Sequence, residues 1–121
     1  MSKKIRFGII GYGKMGKIRA QSIDECEEAK LISVFDVSNY KLDRVNIKAC
    51  KSFEELINSN IDAVFVSTYV KFSSDYVINS LKAGKHVFCE KPLTLTKRSA
   101  EALFSLADFF NVKLYVDDVF S

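Results

Sequence analysis

Residues 9–21 read IIGYGKMGKIRAQ, an apolar run that breaks into glycines spaced G-x-G-x-x-G and then becomes polar with a helical rhythm. No other stretch constrains the fold as strongly. Gly11 ends the run 4–10, KIRFGII, whose β-branched and aromatic residues read as a strand buried on both faces. Residues 14–25 then supply a helix, with Met15, Ile18 and Ser22 or Ile23 at three- and four-residue intervals on one side. The glycines therefore sit at the first strand-to-helix turn of the chain.

The alternation of strands and helices continues. AKLISVFD, 29–36, is the next strand; NYKLDRVN, 39–46, predicts a short helix; and 48–50 is a minor strand. SFEELINS reads as a helix with Ser52 as N-cap and Glu55 at the capping-box spacing. IDAVFVST, 61–68, is a strongly apolar strand, followed by a helix over 73–83 that Gly84 stops. KHVFCE is a further strand. Residues 96–110 form the longest helical pattern, with Ala100, Leu103, Phe104 and Ala107 on one face and Thr96 as cap, and VKLYVDDVF closes the series as a sixth strand. Strands separated by helical crossovers pair in parallel. The expected class is α/β, a doubly wound parallel sheet (Rossmann fold) of about six strands with helices on both faces, occupying residues 1–121 as one domain.

Composition agrees with a folded domain: 48% hydrophobic and 27% charged residues, with a formal charge of +3. The basic residues are scattered among acids, which leaves no stripe for nucleic acid. No window approaches the roughly eighteen apolar residues of a membrane span, and MSKK leads into a strand without a signal-peptide core. Neither nucleic acid nor membrane is expected as a partner, and the cytoplasm is the expected location. Cys26, Cys50 and Cys89 are far apart with no C-x-x-C pair, and His86 is the only histidine, so no metal site is expected and His86 reads as structural.

At a strand-to-helix turn each glycine has its own use. Gly11 permits the tight turn, Gly13 lets the backbone approach a pyrophosphate, and Gly16 lets helix and strand pack closely. The helix N-terminus adds free N–H groups and a partial positive charge. Asp36 ends the second strand twenty residues after Gly16, where an acid can accept hydrogen bonds from both ribose hydroxyls and repel a 2′-phosphate. That favours NAD over NADP, although an aspartate there also suits the turn DVSN. Glu90 and Lys91 leave an apolar strand at the end where ligands of such sheets bind; taken alone, they also fit a solvated charged turn.

Together these residues resemble the N-terminal domain of Gfo/Idh/MocA-type oxidoreductases. The resemblance runs over essentially the whole chain and is carried by GYGKMG, Asp36, VFVSTY and above all AGKHVFCEKPLTLT. It implies an NAD-dependent oxidoreductase that transfers a hydride between nicotinamide and a hydroxyl or carbonyl of a sugar, polyol or nucleotide sugar. It also implies that Gly11, Tyr12, Gly13, Lys14, Met15, Gly16, Asp36, Ser67, Thr68, Tyr69, Glu90, Lys91 and Pro92 line the cofactor, with Lys91 catalytic. An ammonium there would hydrogen-bond the reacting oxygen and stabilise its developing negative charge. The family commonly has proline after the threonine and histidine four residues later, where this chain has Tyr69 and Ser73. YVDDVFS resembles members that act on sugars or nucleotide sugars.

Members of this family carry a second α/β domain that supplies the substrate pocket, and residues 1–121 contain none of it. The expectation is a cofactor domain whose small-molecule substrate binds through that missing domain, inactive alone and joined in a homo-oligomer. The alternative is a stand-alone nucleotide-binding or redox-sensing module. Dihydrodipicolinate reductase would share the fold and the glycine turn but not AGKHVFCEKP.

Overall fold

The computed structural model of the chain describes residues 3–38, 40–42, 44–68, 70–90 and 97–117. The elements in order are β1 (Ile5–Ile10), α1 (Lys14–Asp24), β2 (Ala29–Phe35), β3 (Lys48–Cys50), α2 (Phe53–Ile57) and β4 (Ala63–Val66). They are followed by α3 (Val70–Lys82), β5 (His86–Glu90), α4 (Lys97–Phe109) and β6 (Leu114–Asp117). The strands form one sheet in the order β3-β2-β1-β4-β5-β6. Every pairing is parallel. The strand order reverses between β1 and β4, which opens a crevice beyond the carboxyl ends of those two strands.

Helices pack on both faces of the sheet, as the strands' nearly continuous apolar runs require. On one face Leu56 of α2, Val77 and Leu81 of α3, and Leu103 and Ala107 of α4 pack on Val64, Val66 and Val87. On the other, Ala20 and Ile23 of α1 pack on Phe7, Ile9 and Val34. Past α1, the aromatic rings of Phe65, Phe88 and Tyr115 lie side by side across β4, β5 and β6, with centroids 5.0 and 4.7 Å apart. They line an open groove of about 250 Å³ together with Arg19. Among the described residues no helix is long and apolar enough to cross a membrane.

Local signals placed most elements where the sequence indicates. The Ser52 hydroxyl accepts the Glu55 N–H at 3.0 Å, as a capping box requires, but the Glu55 carboxylate reaches the Lys51 N–H at 2.6 Å, one residue before the cap. Gly84 takes φ +77° and ends α3, with the Lys85 N–H donating to Ser80 O at 3.1 Å. His86 is structural: its Nδ1 accepts the Lys113 N–H at 3.0 Å and ties β5 to the start of β6.

Three expectations need correction. The buried row of α1 is Gly16, Ala20 and Ile23, while Met15 and Ile18 are exposed. Close approach of the helix to the turn selects small residues for the contact, so hydrophobicity alone points to the wrong side. On α4 the expected inward Phe104 is exposed, while Leu103 and Ala107 are buried. The helix expected over 39–46 does not form in its described residues. Instead the Tyr40 hydroxyl donates to Val34 O at 3.0 Å, and Cys50 O lies 3.3 Å from it, which pins the segment over β2 and β3. Thr96 and residues 118–120 of the last expected strand lie outside the described residues.

An ion pair fixes the opposite end of the β1–β4 pair. The Arg6 guanidinium grips Asp62 in bidentate fashion, Nη2 to Oδ1 at 2.7 Å and Nε to Oδ2 at 3.0 Å, and the Arg6 N–H adds a bond to Oδ2 at 2.9 Å. Those bonds, the guanidinium's first, hold the Asp62 carboxyl down at a pKa of about 2. A carboxylate depressed on folding contributes stability above its unfolded pKa, near 4, and loses it as pH falls toward 2. Both side chains are 38% exposed, so solvent screens the contribution and keeps it modest. Thermal melts between pH 5 and 2 should therefore fall more steeply for the wild-type chain than for Asp62→Asn. Parallel curves would show that the pair does not drive acid sensitivity.

Candidate functional site

The crevice at the strand reversal is bounded first by the glycine turn. Gly11 has φ +94°, and a Cβ there would lie 2.6 Å from Ser67 O. A Cβ on Gly16 would lie 1.9 Å from Gly11 O. The fold itself thus demands glycine at both positions. Gly13 is different: its φ of −81° and ψ of −154° suit other residues, and no described atom lies within 4 Å of a Cβ built there. No described atom obstructs a side chain there, and an N-cap accepts glycine without requiring it, whereas a ligand approaching the main chain would require it. Gly13 is also the N-cap of α1, without a side-chain cap and with no acid in the first turn. The leading N–H groups of the helix have no intrahelical acceptors, and its dipole favours an anion there.

Asp36 follows β2 and faces this turn. Its Oδ2 accepts the Tyr12 N–H at 2.6 Å and its Oδ1 accepts the Ser38 N–H at 2.8 Å. The turn-forming use of Asp36 and its placement beside the glycines therefore coexist. Each carboxylate oxygen has a further lone pair for another donor.

Tyr12 turns its ring away from the crevice into the core beneath α1, where it is 3% exposed and meets Tyr40 edge-on. Its contribution at the turn is main-chain. Lys14 and Met15 open the helix with exposed side chains. From the neighbouring strand, the Ser67 N–H donates to Ile10 O at 2.8 Å, and Thr68 Cγ2 lies 3.0 Å from the Cβ position of Gly11. The Ser67 Oγ is buried and has no hydrogen-bond partner among the described residues. Glu90 is the last residue of β5, on the same carboxyl edge, with its backbone paired to Asp117. Tyr69, Lys91 and Pro92 lie outside the described residues. The glycines, Asp36, Ser67 and Thr68 are thus brought together around one opening. Among the described residues no group of His, Cys, Asp and Glu is placed to hold a metal ion.

A support beneath the turn escaped the sequence reading. The Arg44 guanidinium donates through Nε to the Tyr12 hydroxyl at 3.2 Å and through Nη1 to Asp24. Hydrogen bonding to Asp24 first, opposed by some burial, raises the Arg44 pKa above its ordinary value. Burial raises that of the Tyr40 hydroxyl, which remains a protonated donor. These contacts join residues 20 and 32 positions apart, and no local spacing announces them.

The sequence profile of the Gfo/Idh/MocA oxidoreductase family, NAD-binding Rossmann fold, matches residues 5–118. The chain belongs to this family. Among Gfo/Idh/MocA relatives, myo-inositol 2-dehydrogenase of Thermotoga maritima is 40% identical over 97 residues, covering 75% of this chain and 29% of that protein. The structure of scyllo-inositol dehydrogenase from Lactobacillus casei superposes with a TM-score of 0.84 at 31% identity, over 96% of this chain and 37% of that one. Biliverdin reductase from Synechocystis, solved with biliverdin and NADP+, gives a TM-score of 0.84 at 28% identity, over 93% of this chain and 37% of that one. The chain spans about a third of the length of these proteins.

Proposed function

We propose that residues 1–121 are the cofactor-binding part of an NAD-dependent dehydrogenase acting on a hydroxyl of a polyol or sugar. The observation that carries this reading is that no described atom lies within 4 Å of a Cβ built on Gly13 at the N-terminus of α1, with Asp36 held beside it. Gly13 and the first N–H groups of α1 would take the pyrophosphate, and Asp36 the adenosine ribose. When bound, the nicotinamide supplies the hydride acceptor for the alcohol carbon. Lys91, the lysine of Glu-Lys-Pro, would hydrogen-bond the reacting oxygen and stabilise its negative charge. The polyol class is supported by the 40% identity to a myo-inositol 2-dehydrogenase. A second domain, outside residues 1–121, would hold the substrate and cover the aromatic face of β4 to β6.

NAD(H) is preferred over NADP(H) on this reading, because a second anion beside Asp36 would be repelled and would compete with its hydroxyl contacts. Calorimetric titration of the chain with both cofactors should give a dissociation constant for NAD at least roughly tenfold lower, the equivalent of one lost charged hydrogen bond. Equal or reversed affinities would remove Asp36 from the ribose.

A further inference from the structure

Both carboxylate oxygens of Asp36 are engaged by main-chain N–H groups of the protein itself. The glycine turn is anchored on its β1 side by the Gly11 N–H to Phe35 O at 2.7 Å and on its α1 side by the Lys17 N–H to Gly13 O at 3.0 Å. Between these anchors lies the Tyr12 peptide, and its N–H is held by the Asp36 carboxylate at 2.6 Å. The other oxygen of the same carboxylate holds the Ser38 N–H at 2.8 Å. One side chain therefore ties the glycine turn to the turn after β2, through two charge-assisted bonds that are stronger than neutral ones.

We propose that Asp36 is a positioning residue for the pyrophosphate, in addition to any contact it makes with the ribose. By clamping the Tyr12 peptide it orients the segment from Gly11 to Gly13, and so the direction in which Gly13 and the first N–H groups of α1 meet the phosphates. This rests on the cofactor reading of the site. It has a consequence for specificity: neutralising Asp36 removes the repulsion of a 2′-phosphate but loosens the turn on which either cofactor must place its pyrophosphate. A single substitution at this position then lowers NAD affinity without creating a good NADP site.

The test separates the two roles of Asp36 with a ligand that has phosphates but no hydroxyls for the carboxylate. The ¹⁵N-labelled chain and its Asp36→Asn variant are titrated with ADP and with 2′,3′-dideoxy-ADP, and amide hydrogen exchange is followed without ligand. Asparagine can accept at only one of the two positions and turns an NH₂ group toward the other N–H. Asp36→Asn should therefore bind dideoxy-ADP about tenfold more weakly, the effect of one lost charge-assisted bond. This loss would occur even though removing a negative charge by itself favours a phosphate. Exchange should rise at Tyr12 and Ser38 but not at Val34 and Val64, which a general loss of structure would also expose. Equal or tighter binding of dideoxy-ADP by the variant, while the wild-type chain binds it, would overturn the positioning role and leave the cofactor reading standing. Failure of the wild-type chain to bind either nucleotide would overturn both. Should the variant not fold, the ligand-free wild-type chain decides: protected Tyr12 and Ser38 amides support the clamp, and a freely exchanging Tyr12 amide overturns it.

Discussion

Gly13→Val is expected to abolish measurable NAD binding while the chain still folds. The space a Cβ would enter at Gly13 contains no described atom within 4 Å, so the branch point of the valine side chain meets no described part of the protein. The valine methyls would occupy the surface over the N-terminus of α1, where the proposed function puts the pyrophosphate against the main chain. The stability loss should be limited to about 1 kcal/mol, the usual penalty for replacing a tolerated N-cap residue with an aliphatic one. Circular dichroism and thermal denaturation measure the fold, and calorimetry measures the ligand. Normal NAD affinity in Gly13→Val would mean that the turn approaches no phosphate, and the proposed function would lose its main support.

Gly16→Ala should show the opposite pattern, with the fold itself damaged. One added methyl would sit 1.9 Å from the carbonyl oxygen of Gly11, and that oxygen belongs to backbone that cannot rotate aside. Either α1 moves off the sheet, opening the packing of Ala20 and Ile23 on Ile9 and Val34, or the turn deforms. Overpacking against movable side chains costs about 1–3 kcal/mol, and an obstruction by backbone belongs at or above the upper end of that range. A loss of about 3 kcal/mol corresponds to a fall in melting temperature of roughly 10 °C or more in a chain of this size. NAD binding should fall with it, because the proposed function gives the pyrophosphate to the N–H groups in the first turn of α1. Urea or thermal denaturation checks the result, and a variant melting within a degree or two of wild type would mean that helix and turn are less tightly packed than the contact implies.

These two substitutions involve the same motif, yet the G-x-G-x-x-G spacing does not separate their effects. The sequence indicates that three glycines share a strand-to-helix turn. Which of them the fold requires, and which is left facing open space, depends on how closely α1 lies over Gly11 and how β4 runs past it. The same holds for Asp36. Its place at the end of the second strand is legible, and so is its fitness for a turn, but the bond to the Tyr12 N–H depends on β2 lying beside β1 in the register that pairs Ile10 with Phe35.

By itself the sequence determined the order of the strands and of the four helices that form, the parallel class, the capping of α2 at Ser52 and the stop of α3 at Gly84. Each is encoded within a few neighbouring residues: apolar runs, a hydroxyl three residues before a free N–H, or a glycine where φ must be positive. The tertiary structure alone decided that α1 buries Gly16, Ala20 and Ile23 rather than Met15 and Ile18. It also decided that the described residues between 40 and 47 are held by Tyr40 and Arg44 instead of forming a helix. Tyr12 likewise lends its ring to the core and its N–H to Asp36 only in the assembled sheet. The physical reason is distance along the chain. These contacts join residues 6 to 32 positions apart, and their partners meet only after the sheet register and the approach of α1 have been set.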